Sequence, residues 1–200
     1  MIIIGIDLAG VESRPTGFCE LQGVKVKTCL LHTDDEIINQ IKEVKPILVT
    51  IDAPLSLPPG RKTLEERNEN HLRPCDRELL KHGIKFFPIT LGPMRKLTAR
   101  GIKLKQLLEA DRFVVMEAYP GGAQDVLGIP RKQKGLEKLL AGLEVLGIKG
   151  LNFQMSDHEL DAATIAYVGK LFLEGKAVIY GEIGNGIVMP KGDYFRRKQP

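Results

Sequence analysis

A chain of 200 residues with a formal charge of +4 and 43% apolar residues suits one large domain or two small ones with a true core. It lacks an apolar stretch of membrane-spanning length, and its charge is too mild to demand a polyanionic partner. Its three cysteines are odd in number and lack metal-ligand spacing, which argues against a disulfide framework or a zinc site. One domain over 1–200 is expected. A cytoplasmic protein is expected too, because Met1 leads into a strand-like run without a basic leader or cleavage site.

Residues 2–7 read as a first strand, apolar without alternation and so buried on both faces. Residues 16–22 and 24–31 read as a second and third strand joined at Gly23, completing an antiparallel meander. Thr33 or Asp34 caps a helix to about Glu43, with Glu36 early in it. Pro46 separates that helix from a fourth strand, 47–51. An insertion over about 54–98 follows, opened by Pro54, Pro58, Pro59 and Gly60. It holds a short helix over Asp76–His82 and an aromatic anchor at Phe86-Phe87-Pro88. Pro93 opens a helix to about Asp111. A fifth strand over 113–117, a short helix over 123–127 and an amphipathic helix over 134–146 come next. Ser156 and Glu159 form a capping box for a small-residue helix to about Glu174, and 177–180 and 187–188 read as short strands. The order fits a mixed α/β sheet flanked by helices.

Against this frame the acids stand out. Asp7, Asp52 and Glu117 each end an apolar strand run, and carboxylates are rarely buried unless paired or bound to metal. Adjacent parallel strands would bring Asp7 and Asp52 within about 5 Å, where they repel unless a cation lies between them. Asp157 and Asp161 share one face of the last helix near its positive end. Asp7, Asp52, Glu117, Asp157 and Asp161 are therefore the catalytic candidates. Asp7, Asp52, Asp157 and Asp161 are the candidate ligands of Mg²⁺ or Mn²⁺, which favour hard oxygen donors. Two ions there would activate water on one side of a phosphodiester and stabilise the leaving oxygen on the other.

Arg73, Arg77, Arg95, Lys96 and Arg100 are candidates for the substrate phosphates, and His158, beside Asp157, for a proton shuttle. Further basic clusters are Arg131, Lys132, Lys134 and Lys138, and a tail of Lys191 with Arg196-Arg197-Lys198. Phosphate-loop, Rossmann and nucleophile-elbow patterns are absent.

The segments Ile4-Gly5-Ile6-Asp7-Leu8-Ala9-Gly10, Ile51-Asp52-Ala53-Pro54-Leu55-Ser56-Leu57-Pro58, Glu117-Ala118-Tyr119-Pro120 and Ser156-Asp157-His158-Glu159-Leu160-Asp161-Ala162 resemble the family called domain of unknown function 429, described as predicted nucleases of the ribonuclease-H-like fold. The resemblance runs from residue 2 to about residue 180. It implies a five-stranded sheet ordered 3-2-1-4-5, acids on strand 1, on or after strand 4 and on a late helix, and a nucleic-acid partner. Glu117 departs from the commonest ribonuclease-H pattern, whose second acid sits on the helix after strand 3; here that helix offers Glu36 or Glu43. The opening Gly5-Ile6-Asp7-Leu8-Ala9-Gly10 also resembles the first phosphate segment of the actin, sugar-kinase and heat-shock ATPase superfamily. A nucleotide-binding protein or phosphotransferase of that kind would need a homodimer, which the sequence admits, and a Gly-rich adenosine segment, which it lacks. A nonenzymatic nucleic-acid-binding protein is the third reading, but converged acids would repel phosphate without metal.

Overall fold

The apolar runs form the inner strands of a mixed sheet in the computed structural model, which describes residues 1–66 and 69–192. The tail cations Arg196, Arg197 and Lys198 lie outside the described residues. Strand β1 (Ile2–Asp7) pairs antiparallel with β2 (Thr16–Gln22), and β2 antiparallel with β3 (Lys25–Leu31). On its other side β1 runs parallel to β4 (Leu48–Asp52), and β4 parallel to β5 (Val115–Ala118). This is the expected order 3-2-1-4-5. Two further strands extend it: β6 (Ala177–Tyr180) pairs antiparallel with β7 (Ile187–Pro190), and β7 runs parallel to β5. The sheet therefore has seven strands rather than five, ordered β3-β2-β1-β4-β5-β7-β6.

Helices α1 (Asp34–Val44), α2 (Pro74–Lys81) and α3 (Gly92–Ala110) precede β5. The first begins at the expected capping box, with Thr33 accepting from the Glu36 N–H and the Glu36 carboxylate accepting from the Thr33 N–H. Beyond β5 come α4 (Pro120–Leu127), a 3₁₀ turn (Lys132–Lys134), α5 (Leu136–Val145) and α6 (Asp157–Leu173). No helix among the described residues is long and apolar enough to cross a membrane.

Side chains alternate across a strand, and each face has its own core. Ile4, Ile6, Val49, Ile51 and Val115 pack on one face with Ile37 and Ile41 of α1 and Leu104 and Leu108 of α3. Cys19, Leu21, Ala118 and Val188 face the other way, against α4, α5 and the small residues Ala162, Ala163 and Ala166 of α6. Buried Thr50 ties β4 into that second face by donating to the carbonyls of Ile4 and Ile165, each at 3.0 Å.

Two glycines let α6 lie directly on the sheet. A Cβ on Gly5 would sit 2.1 Å from the Ala162 carbonyl oxygen, and one on Gly17 would sit 2.1 Å from that of His158. The first turns of α6 therefore rest over the C-terminal end of β1, where Asp7 is.

The helical insertion after β4 is held together by ions as well as by apolar packing. Buried Arg61 donates to the carbonyls of Asn70 at 3.0 Å and Glu66 at 2.7 Å, which gathers a stretch that reads as merely charged. The aromatic pair is divided in its role. Phe86 packs against a small cluster containing Cys75 and Leu79, whereas Phe87 is 71% exposed.

Candidate active site

Asp7 and Asp52 are register partners on neighbouring parallel strands. Both occupy the strand positions that face α6, in phase with Gly5 and Thr50. Their separation is set by the interstrand spacing, about 5 Å. They lie at the carboxyl ends of the strands, where an open α/β sheet leaves a crevice for a ligand.

Asp7 is buried, and its Oδ2 lies 2.6 Å from Nδ1 of His158. That hydrogen bond raises the His158 pKa above its ordinary 6.5, against the opposing effect of burial. Asp52 is only partly buried, and no protein donor among the described residues bonds its carboxylate. Desolvation and the neighbouring charges of Asp7 and Asp161 push its pKa well above 3.8.

The α6 acids have a partner that sequence reasoning placed elsewhere. Lys132 Nζ lies 2.9 Å from Asp157 Oδ2 and 2.9 Å from Asp161 Oδ2. Gln124 of α4 donates to Asp161 Oδ1 at 2.8 Å and to Thr164 Oγ1 at 3.2 Å. Burial drives the Asp161 pKa up and Lys132 opposes it, leaving a net rise. Asp157 is more open; burial raises its pKa, but Lys132 and His158 prevail and the net shift is downward. Lys132 read as one of a surface cluster and Gln124 carried no signal; the only hint was that four acids need a cation.

Glu117 does not join the cluster. It pairs in register with Ile51 and shares a strand face with Val115, both of which pack toward α1 and α3. That is the face opposite Asp7 and Asp52. Arg73 grips Glu117 with a buried fork, Nη1 to Oε2 at 2.6 Å and Nη2 to Oε1 at 2.8 Å. The Leu55 N–H adds a bond at 2.8 Å, and Arg73 also holds Asp76. Burial raises the Glu117 pKa, and the bonds from Arg73 and Leu55 oppose the rise. Glu117 is thus the strand-end anchor of the insertion, and Arg73, 2% exposed, has no free edge for a substrate phosphate.

Arg100 is likewise committed to structure. Its guanidinium donates to Asp34 Oδ1 at 2.8 Å, to the Ala9 carbonyl at 2.7 Å and to the His32 carbonyl at 2.6 Å. It fastens α3 to the loop after β1 and to the start of α1. Arg77 is exposed on α2, and its side chain contacts none of the acids in the cluster. Arg95 and Lys96 remain accessible on the first turn of α3, which contains no acid. Met94 and Leu97, on either side of them, line a cleft of about 180 Å³ that reaches Asp52 and whose wall also includes Tyr119 and the Arg73–Glu117 fork.

Among the described residues no group of three or more His, Cys, Asp or Glu side chains forms a ready metal cage. A cage is not what Mg²⁺ requires, because it commonly binds through one or two carboxylates and keeps its waters for exchange with substrate oxygens. Asp7 and Asp52 fit that mode, with hard oxygens side by side and an Asp52 carboxylate that no donor among the described residues meets.

A family model described as "Protein of unknown function (DUF429)" matches residues 5–183. The chain belongs to the DUF429 family. No curated protein matches it. Among solved structures it is similar to one described as "T. thermophilus RuvC in complex with Holliday junction substrate", at 12% identity and a TM-score of 0.55, over 94% of this chain and 99% of that one. It is also similar to "Thermus thermophilus RuvC structure", at 14% identity and a TM-score of 0.48, over 94% and 100% of the two chains. At 12% identity the first likeness shows a shared fold.

Proposed function

We propose that this DUF429 protein is a divalent-metal-dependent phosphodiester hydrolase acting on nucleic acid. The observation that carries the reading is the register pairing of Asp7 with Asp52 at the ends of two parallel strands, with no donor on Asp52 among the described residues. Mg²⁺ or Mn²⁺ held by this pair would supply Lewis-acid stabilisation of the phosphoryl oxygens and ease deprotonation of water. In the hydrolysis, water oxygen bonds to phosphorus, the bond from phosphorus to the leaving oxygen breaks, and the leaving oxygen takes up a proton. The chain's own part is to orient and to move protons. His158 fixes Asp7 through Nδ1 and is our candidate proton donor through Nε2, which lies 4.0 Å from Asp157. Gln124 fixes Asp161. Arg95 and Lys96 are the cations we assign to the nucleic-acid backbone. The RuvC of similar fold is described with a Holliday junction substrate, so branched DNA belongs among the substrates tried.

The test compares single-stranded, double-stranded, hybrid and branched nucleic acids with Mg²⁺ or Mn²⁺. Wild type, Asp7→Asn and Asp52→Asn are run in parallel. Cleavage by wild type that falls by at least about 100-fold in either variant is expected, more than the loss of a supporting residue typically causes. Equal cleavage by all three would reveal a contaminant. Binding without cleavage would favour the nonenzymatic reading, and ATP binding alone the nucleotide-binding one.

A further inference from the structure

Lys132 is not a mobile surface lysine that happens to touch acids. Its 3₁₀ turn is closed by the Lys134 N–H on the Arg131 carbonyl at 2.9 Å and the Gly135 N–H on the Lys132 carbonyl at 3.0 Å. The preceding segment is tied down by the Ile129 N–H on the Gln124 carbonyl at 3.0 Å. Arg131 is locked onto Asp125 and donates to the Tyr119 hydroxyl at 3.3 Å. The chain enters and leaves through Gly128 (φ 73°) and Gly135 (φ 116°), conformations that suit glycine. This backbone presents the ammonium to both α6 acids at 2.9 Å.

The carboxylate oxygens then divide into two sets. Asp161 spends Oδ1 on Gln124 and Oδ2 on Lys132, and Asp157 spends Oδ2 on Lys132. Asp7 spends Oδ2 on His158. Oxygens without a protein hydrogen bond among the described residues are Asp7 Oδ1 and both of Asp52 on the strand side, and on the helix side only Asp157 Oδ1, which lies 4.0 Å from His158 Nε2. A two-ion clamp needs cations about 3.5–4 Å apart with shared carboxylates. On the helix side that second position is already answered by an ammonium, which also serves as a point-charge partner for phosphate.

We propose that Lys132 is the built-in second cation of the site, so that each chain takes one divalent ion, between Asp7 and Asp52, and the Lys132 ammonium meets the substrate phosphate from the helix side. The proposal rests on the metal-binding reading of Asp7 and Asp52, and it replaces the two-ion expectation drawn from the sequence.

The test is Mn²⁺ titration of the full chain without substrate, read by calorimetry and by the electron-spin resonance of free Mn²⁺. One Mn²⁺ per wild-type chain is expected, none in Asp52→Asn, one in Lys132→Arg and two in Lys132→Met. Two Mn²⁺ in wild type would overturn the proposal without recourse to any variant. So would a folded Lys132→Met that still takes one, and in both cases the metal site itself would stand. No Mn²⁺ in wild type would instead remove the metal-binding reading and this proposal with it.

Discussion

Arg73 and Glu117 meet in a buried fork that joins the insertion to the end of β5. The two residues lie 44 positions apart, and each satisfies the other's charge where neither is solvated. Both read from sequence as members of the active site, one as an acid and the other as a phosphate ligand. In the fold they are a structural clamp, and the adjoining bonds to Asp76 and the Leu55 N–H complete it.

Removing one member of such a pair leaves a buried charge without a partner, at a cost of roughly 3–5 kcal/mol. Arg73→Met and Glu117→Gln are each expected to lower stability by about that much. The double variant Arg73→Met/Glu117→Gln should cost clearly less than the sum of the two. Urea unfolding of the four proteins checks this. Additive losses would show that the fork carries little coupling.

The seating of α6 gives a second expectation. Ala at position 5 would force its Cβ to 2.1 Å from the Ala162 carbonyl oxygen, a backbone atom with little room to yield. Overpacking of this kind typically costs about 1–3 kcal/mol, or about 2–4 °C in Tm per kcal/mol for a chain of this size. Gly5→Ala and Gly17→Ala should both melt earlier than wild type. Gly23→Ala, whose Cβ meets nothing within 4 Å, pays only for its positive φ. Scanning calorimetry on the three variants decides whether close approach or turn geometry matters more.

Sequence periodicity explains why some residues of the candidate site were legible and others were not. Asp7 and Asp52 ended continuous apolar runs, and the capping boxes at Thr33 and Ser156 fixed where α1 and α6 begin. Those features are local, so they survive folding unchanged. Glu117 also ended an apolar run, but β5 is displaced by one residue in phase: its register sets Glu117 against Ile51, not Asp52. That phase depends on strand pairing, which no local pattern records. Lys132 and Arg100 escaped correct assignment for a related reason. A lysine in a basic stretch and an arginine on an amphipathic helix look solvated until the topology brings Asp161 and Asp34 to them. The two strands beyond β5 were visible as short apolar segments, yet their joining of the main sheet follows only from the pairing of β7 with β5.

The acids also set a pH dependence in the metal-free protein. Burial and the charges of Asp7 and Asp161 hold the Asp52 pKa well above 3.8. A carboxyl whose folded pKa is raised contributes stability below its unfolded pKa and loses it as pH rises through the folded value. Asp52→Asn should therefore stabilise the metal-free chain at pH 8, with the gain shrinking as pH falls toward 3.8. His158 has the same sign, since its raised pKa makes its pairing with Asp7 fade at high pH. Urea midpoints across that range, in the presence of chelator, measure the effect. Mn²⁺ at 100 times its Kd should then stabilise wild type by about 2.7 kcal/mol and leave Asp52→Asn unmoved.

The cations near the site separate cleanly into structural and accessible groups, and this separation is measurable. Arg95 and Lys96 stand exposed on the first turn of α3, beside the cleft that reaches Asp52. If they contact phosphates, each releases counterions on binding, so Arg95→Ala and Lys96→Ala should each flatten the plot of log affinity against log salt by about 0.7–0.9. The folded stability of both variants should stay within about 0.5 kcal/mol of wild type. Arg100→Ala should behave in the opposite way, because Arg100 holds Asp34 and the Ala9 and His32 carbonyls in a buried network. Its loss is expected to destabilise the chain by about 3–5 kcal/mol with no change in salt slope for the fraction that remains folded. Fluorescence-anisotropy titrations of a labelled branched DNA at several salt concentrations, without divalent ions, give the slopes. Unchanged slopes in Arg95→Ala and Lys96→Ala would remove this turn of α3 from the nucleic-acid surface.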